Sequence, residues 1–551
     1  MKILIIGGVA AGATAAARAR RISEDADITI VERGPYVSYA NCGLPYFISR
    51  DIQKRSKLLL QTPEGFSSRY RVTALVDTEA REIDRAGKRV RIKGPQGESS
   101  LPYDALILAQ GGSPVTPPVE GADSPHVFRL WTVPDMDRIH AYIDSAKPRS
   151  AVVAGGGFIG LEMAEALRTR GLKTTVVELL PRVMSAMDPE FGTMIARRLE
   201  AEGVRVLTGL GVKAVIRDSR EVELSDGSRI PGDLVLFSVG VRPELSLARQ
   251  AGLAIGASGG LLVDEHLRTS DPSIYAAGDM VEVVQKVSGR KVRIPLAGPA
   301  NRQGRIAASN ALGMNVRYTG ALGTSVVKVF GATAASTGLT EKAAREAGFE
   351  AGVSVVHRDH HAAYYPGASE MTLKLVYDRK TARVLGAQAF GGAGVEKRID
   401  VLAAALQGKL TLHDLAELDL AYAPPYSSAN DPINLAAFVG LNDLTDFSPV
   451  ETAAELKAAI EAGGAFVLDV RNLGEYETSR LAGSVNIPVD EIRDRLDEIP
   501  RNRRIHILCR VGFRGHLALR ILRGAGMADA VNVTGGYLSV LAEAGFATEE
   551  G

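Results

Sequence analysis

Lys2-Ile3-Leu4-Ile5-Ile6-Gly7-Gly8-Val9-Ala10-Ala11-Gly12 sets an apolar β-run against a glycine turn, and the alanine-dense stretch Ala13–Arg21 behind it reads as a helix. A second β-run, Asp27–Val31, ends at Glu32. Strand, glycine turn, helix and strand in this order make a βαβ dinucleotide-binding unit. Gly7 makes the tight turn and Gly12 lets helix and strand pack closely. The unpaired N–H groups at the helix start face a pyrophosphate, and Glu32 is placed for the ribose hydroxyls. Val9 stands where a middle glycine is usual.

The pattern returns downstream. Strand Ala151–Ala154 runs into Gly155-Gly156-Gly157-Phe158-Ile159-Gly160, then helix Leu161–Arg170 and strand Lys173–Val177, which ends at Glu178. Here Gly155, Gly157 and Gly160 complete the fingerprint. A glutamate at the end of that strand accepts hydrogen bonds from a ribose 2′-hydroxyl and repels a 2′-phosphate, which favours NADH over NADPH. Arg182 leaves NADPH possible. Two such units imply two dinucleotides. Tyr103–Gly112 reads as a buried strand ending in a glycine turn, and Pro114, Pro117 and Pro118 as a crossover between domains. Ile274-Tyr275-Ala276-Ala277-Gly278-Asp279 gives a short strand ending at a helix start, where Asp279 can hold a ribityl chain.

Bulk properties agree with an α/β protein of several domains. The chain has 551 residues, more than one core usually serves, with 58 glycines and 46% hydrophobic residues. A net charge of +1 favours neither nucleic acid nor an anionic membrane. No apolar run approaches a membrane span, and no signal peptide is expected. Two cysteines far apart make no disulfide framework, so a reducing cytoplasm is the expected setting.

One of those cysteines lies in Ser38-Tyr39-Ala40-Asn41-Cys42-Gly43-Leu44-Pro45-Tyr46, soon after the first fingerprint. With no second cysteine nearby, an oxidised Cys42 must be a sulfenate, a persulfide or a mixed disulfide with a small thiol. Gly43-Leu44-Pro45 suits a turn into a helix, whose N-terminus is expected to lower the thiol pKa.

Residues 1–440 resemble the two-dinucleotide-binding-domain disulfide reductases, and the Cys42 stretch is similar to the motif of coenzyme A disulfide reductases. The resemblance implies a discontinuous FAD-binding domain (1–115 and 261–318), an NADH-binding domain (116–260) and an α+β dimerisation domain (319–440). It implies cofactor contacts from Gly7, Gly12, Glu32, Arg33, Ala109, Gly111 and Asp279, and from Gly155, Gly157, Gly160, Glu178 and Gly240. It assigns Thr14, Arg18, Arg21, Ser38, Asn41, Asn301 and Arg302 to CoA, with Asn301 replacing a histidine of simpler relatives. The peroxidase branch places a histidine just after the first glycine turn. Val9-Ala10-Ala11 occupy that place here.

Within the dimerisation domain, strands are expected at Ser325–Val329, Gly352–Val356, Thr372–Tyr377 and Ala387–Phe390, with helices at Glu341–Ala347 and Glu396–Gln407. By the same resemblance, Tyr364 and Tyr422 reach across a homodimer to the neighbouring thiol as proton donors. His360-His361 is not read as a metal pair, since adjacent residues point apart and no third ligand is suggested; no metal site is expected. After a linker (441–448), residues 449–551 resemble a rhodanese domain. Val467–Arg471 and Arg504–Leu508 read as strands and His516–Arg523 as a helix. Between them Cys509-Arg510-Val511-Gly512-Phe513-Arg514-Gly515 forms an anion cradle. The resemblance implies that Cys509 accepts sulfur and that Arg510 and Arg514 add positive charge.

The expectation is an FAD-dependent NADH reductase of CoA persulfide, other small persulfides or polysulfide, fed by a fused rhodanese. A CoA-disulfide reductase using the same residues is the alternative. From a different class comes a sulfurtransferase whose flavin part only senses.

Overall fold

The computed structural model describes residues 1–543 and 545–550. They fall into two compact units, Met1–Pro181 with Gly203–Gly323, and Arg182–Glu202 with Thr324–Gly551.

The first unit holds two parallel sheets. One is five-stranded, in the order Ile274–Ala276, Ala105–Leu108, Lys2–Ile6, Asp27–Val31, Val72–Leu75. Ile5 lies opposite both Ile30 and Ile107, so the central strand is covered by apolar neighbours on either side. The other has the order Arg205–Thr208, Lys173–Glu178, Ser150–Ala154, Leu234–Phe237, Val127–Phe128. Helices Ala10–Ile22 and Phe158–Thr169 follow the two glycine turns. The first buries Ala11, Ala13, Ala15, Ala16 and Ala19. Small residues on that face let it meet helix Ala297–Ala311, whose Ala300, Gly304, Ala307 and Ala308 are buried. A Cβ on Gly304 would run into the carbonyl oxygen of Ala11. That close approach carries Thr14 and Arg18 against the second helix.

The second unit contains an antiparallel sheet in the order Ser325–Val329, Ala332–Gly338, Val384–Gly391, Glu370–Asp378, Ala351–Asp359. Helices Glu341–Glu346, Val395–Gly408 and Pro432–Leu444 accompany it. A parallel sheet in the order Val450–Glu451, Ala530–Val533, Ile505–Leu508, Phe466–Asp469, Val485–Asn486 forms its C-terminal part.

Three departures from the sequence reading bear on the site. Strand Ala332–Gly338 was not expected from Ala-Thr-Ala-Ala-Ser-Thr-Gly; pairing on both edges supplies the order that its propensity lacks. Asp279 opens strand Val281–Val284 rather than a helix, because Val-Glu-Val-Val is β-branched and pairs with Leu261–Leu262 and Lys291–Val292. The stretch 441–448 begins as helix, since the apolar face of Pro432–Leu444 continues packing through it.

One buried ion pair organises the sheet's loops. Arg398 and Asp431 are each 1% exposed and meet at 2.8 Å. Arg398 also donates to the carbonyls of His360 (2.7 Å) and Gly394 (3.1 Å). Asp431 accepts from the Ser427 hydroxyl and caps helix Pro432–Leu444 through the Ile433 N–H. The loops bearing Tyr364 and Tyr422 are thus tied to one guanidinium. Arg398→Met leaves a buried carboxylate without its counter-charge. It should cost about 3–5 kcal/mol, read as a lowered urea midpoint, and Arg398→Met with Asp431→Asn should recover part of that loss.

Candidate active site

The two glycine turns share one construction. Gly7 has φ +100° and Gly155 φ +106°, a conformation that side chains resist. A Cβ on Gly12 or Gly160 would strike the carbonyl oxygen of Gly7 or Gly155. Val9 has φ −98°, open to any residue, so it replaces the usual glycine without backbone strain. Gly157 occupies the corresponding position before the second helix.

Each strand-end glutamate clamps its own turn. Glu32 accepts from Gly8 N–H and Gly34 N–H, both at 2.8 Å. Glu178 accepts from Gly156 N–H (2.7 Å) and Leu180 N–H (2.8 Å). Every carboxylate oxygen keeps a further lone pair for a ribose hydroxyl. Arg33 is half exposed and lies 3.7 Å from Glu244. Ala109 backs the Gly7 turn. Gly111 (φ +65°) and Gly240 (φ +106°) adjoin the strand pair Gly112–Pro114 and Val241–Pro243, which joins the two sheets.

The first unit fits a bound flavin dinucleotide on observations besides its motif. Gln110 Oε1, beside the Gly7 turn, is buried without a hydrogen-bond partner among the described residues. Asp279 is hemmed in by protein, and burial alone pushes its carboxyl up.

Cys42 is a free, solvent-accessible thiol in a single 3-10 turn, Asn41–Gly43. Ser38 precedes it at φ +48°, its N–H bonded to the Gly8 carbonyl at 2.7 Å. The cysteine stretch is therefore tied to the first fingerprint loop. Asn41 Oδ1 accepts from Cys42 N–H (3.1 Å) and lies 3.7 Å from the sulfur. The helix that follows spans only Leu44–Ile48, and the expected lowering of the thiol pKa is not found. Surrounding protein pushes the thiol up, and the carboxylates of Glu162 and Asp279 add to the shift. Glu162 stands in the first turns of the second fingerprint helix and accepts from Tyr46 Oη at 3.1 Å. Burial raises its own carboxyl as well. The sequence reading named neither Glu162 nor Tyr46 as a site residue, although each lies inside a quoted motif or just beyond one.

Of the residues assigned to CoA, Thr14, Arg18 and Arg21 lie on one helix and Asn301 and Arg302 on another, while Ser38 and Asn41 stay in the Cys42 stretch. Thr14 Oγ1 donates to Asn301 Oδ1 at 2.9 Å. Arg18 Nε donates to Ser309 Oγ at 3.1 Å. Burial, Arg305 and Arg21 all push the Arg18 guanidinium down, so these three cations crowd one face. Arg302 and Asn301 are exposed on the same helix as Arg305. Arg305 escaped the sequence reading; its signal was the i,i+3 spacing from Arg302.

In the second unit, Tyr364 and Tyr422 are 76% and 49% exposed and their hydroxyls meet at 3.1 Å. That bond pushes the Tyr364 phenol up. The rings of His360 and His361 lie 4.1 Å apart rather than pointing away from each other, because Arg398 and Ser369 fold this loop back. Their Nδ1 atoms engage Ser369 and the Ala362 carbonyl.

Cys509 is free and 1% exposed at the end of strand Ile505–Leu508. Its sulfur accepts from Gly512 N–H at 3.1 Å, and its carbonyl from Tyr537 N–H at 2.7 Å. The two flanking arginines are both paired. Arg514 grips Glu475 through two bonds (2.6 and 2.8 Å), and Arg510 lies 3.1 Å from Glu370. Their positive charge in the cradle is offset by these carboxylates.

Residues 1–304 match the pyridine nucleotide-disulphide oxidoreductase family, 324–431 its dimerisation domain, and 452–543 the rhodanese-like domain. The NAD(P)H sulfur oxidoreductase (CoA-dependent) of Pyrococcus abyssi is 36% identical over 438 residues, 79% of this chain and 97% of that protein. Among solved structures, the reduced CoADR-RHD of Bacillus anthracis is 43% identical, with a TM-score of 0.95 over 98% of both chains. An NAD-dependent persulfide reductase from A. fulgidus is 39% identical, with a TM-score of 0.91 over 98% of this chain and 99% of that one. Among the described residues no helix is long and apolar enough to cross a membrane. The chain belongs to the pyridine nucleotide-disulphide oxidoreductase family, and it carries that family's dimerisation domain and a rhodanese-like domain in one polypeptide.

Proposed function

We propose that this protein is an FAD-dependent reductase that uses NADH to reduce CoA persulfide, other small persulfides or polysulfide at Cys42. The observation that carries the reading is an accessible, solitary thiol anchored to a dinucleotide loop through Ser38. A rhodanese-like domain with its own free cysteine on the same chain favours sulfane sulfur over CoA disulfide as the substrate. The relatives named for CoA-dependent sulfur and persulfide reduction agree with it.

In the net reaction a persulfide RSSH, NADH and a proton give the thiol RSH, hydrogen sulfide and NAD⁺. Cys42 attacks the persulfide as a thiolate. Attack at the inner sulfur forms a Cys42–S–S–R disulfide and expels hydrosulfide; attack at the outer sulfur forms a Cys42 persulfide and expels RS⁻. FAD, held by the Gly7–Gly12 turn, Glu32 and Asp279, supplies the two-electron link between NADH and the oxidised sulfur. Gly155–Gly160 and Glu178 hold the NADH. Arg18, Arg21 and Arg302, with Arg305, face the CoA phosphates. The working unit is a homodimer, in which the exposed Tyr364–Tyr422 pair donates a proton to the leaving thiolate at the other subunit's thiol. Cys509 takes sulfane sulfur from a donor, and fusion to the reductase raises its local concentration.

Cys42→Ser should abolish NADH oxidation with persulfide or polysulfide and leave thiosulfate:cyanide sulfurtransfer intact, while Cys509→Ser should do the reverse. Reduction at the parent rate by Cys42→Ser would overturn the single-thiol mechanism. Brisk sulfurtransfer by the parent with no NADH consumption would leave only the transferase reading.

Because burial, Glu162 and Asp279 disfavour the thiolate, alkylation of Cys42 in the flavoprotein should rise with pH to a midpoint above that of an ordinary thiol. Glu162→Gln removes a like charge, so its midpoint should move down; stopped-time iodoacetamide labelling followed by mass spectrometry reads both. Glu178→Ala should lower kcat/KM for NADH by about ten- to a hundredfold, as expected for losing a charge-assisted bond, and change NADPH kinetics far less.

A further inference from the structure

The Cys509 loop is built partly from outside its own domain. Thr534 Oγ1 accepts from Val355 N–H at 2.8 Å, on the last strand of the antiparallel sheet. His357 on the same strand lies buried between Thr372 Oγ1 (2.9 Å) and Ser539 Oγ (3.1 Å). Two residues after Thr534 the chain turns beneath the loop, where a Cβ on Gly536 would strike the Cys509 carbonyl oxygen. Tyr537 N–H then bonds that carbonyl. These contacts set the Cys509 loop beside the strand end where Asp359 and Glu370 face each other in register. Glu370 pairs with Arg510, the residue after the cysteine.

Both guanidinium groups of the loop are therefore matched. Glu475 belongs to the rhodanese-like domain, whereas Glu370 comes from the dimerisation domain. Arg510 and Glu370 are about half exposed, so they stand at the solvent side of a sulfur that is itself buried. Arg510 is the residue next to Cys509, so this ion pair sets the charge beside the loop. A loop with free arginines would draw dianions such as thiosulfate. This one presents Arg510 already paired with the Glu370 carboxylate.

We propose that Glu370 is a specificity-determining residue of the sulfur-accepting site, which sets the loop against dianionic donors in favour of persulfides of lower net charge. The inference rests on the reading of Cys509 as a sulfur acceptor. The step it governs is a transfer without net redox change. With thiosulfate, the Cys509 thiolate forms a bond to the outer sulfur and sulfite leaves with the electron pair of the broken S–S bond. With a persulfide RSS⁻, the products are the same Cys509 persulfide and RS⁻.

The test uses the full-length holoenzyme in a Cys42→Ser background, so that only Cys509 can be persulfidated. Initial rates of Cys509 persulfidation are measured by peptide mass at low donor concentration. The donors are thiosulfate, a dianion, and cysteamine persulfide, whose ammonium offsets its persulfide charge. Glu370→Gln should raise the thiosulfate rate about three- to tenfold and leave the cysteamine persulfide rate unchanged or lower, with the gain shrinking as salt is added. Glu370→Asp, which keeps the charge, should stay within about twofold of the parent ratio. A donor ratio in Glu370→Gln within that same margin of the parent overturns the proposal, as does an equal change for both donors, which marks a purely structural role. If the parent accepts sulfur from neither donor, the acceptor reading of Cys509 falls, and this inference with it.

Discussion

Where the carbonyl of Gly7 meets Gly12, there is no room for one added carbon atom, and the same is true where Gly155 meets Gly160. These two backbone contacts decide how each helix leaves its strand. They aim the free N–H groups of the helix start at one point and bring the strand-end glutamate within reach of the turn. The close seat of helix Ala10–Ile22 on helix Ala297–Ala311 continues that geometry outward. A cofactor cradle and a cationic face thus follow from the same small residues.

Charge is arranged differently in the three places where it matters. On the paired helices, Arg21 and Arg305 both repel the Arg18 guanidinium. Around Cys42 the nearby charges are negative, and the thiolate is disfavoured. In the Cys509 loop, each arginine already has its carboxylate. The two thiols therefore stand in opposite settings, one accessible and electrostatically opposed to ionisation, the other buried with its sulfur held by a backbone amide.

Much of this was legible from residue order alone. Glycine turns between a β-run and an alanine-rich helix carry their own explanation, because the turn, the packing and the anion site all need the same residues. Cys42 and Cys509 stood out for the same reason, each flanked by a motif that restricts its backbone. What could not be read were long-range relations. The Arg398–Asp431 pair spans 33 residues and has no local pattern. Glu162 meets Tyr46 of the Cys42 stretch across 116 residues of chain, through tertiary packing alone. Glu370 joins Arg510 only because a different domain lies alongside. Local reasoning also misjudged the Cys42 thiol: a short helix suggested stabilisation of the thiolate, whereas tertiary neighbours reverse the sign.

Strand Ala351–Asp359 closes one side of its sheet, and it borders the C-terminal domain through Thr534 and Ser539. An outermost strand with bare amides is a template for unwanted pairing with other chains. His357 sits there with its imidazole driven down to about 4 by burial, so it stays uncharged at neutral pH, and the exposed charge of the strand comes from Arg358 beside it. The rhodanese-like domain thus also covers part of this edge. Removing it would uncover the stretch of this edge that Thr534 and Ser539 now meet.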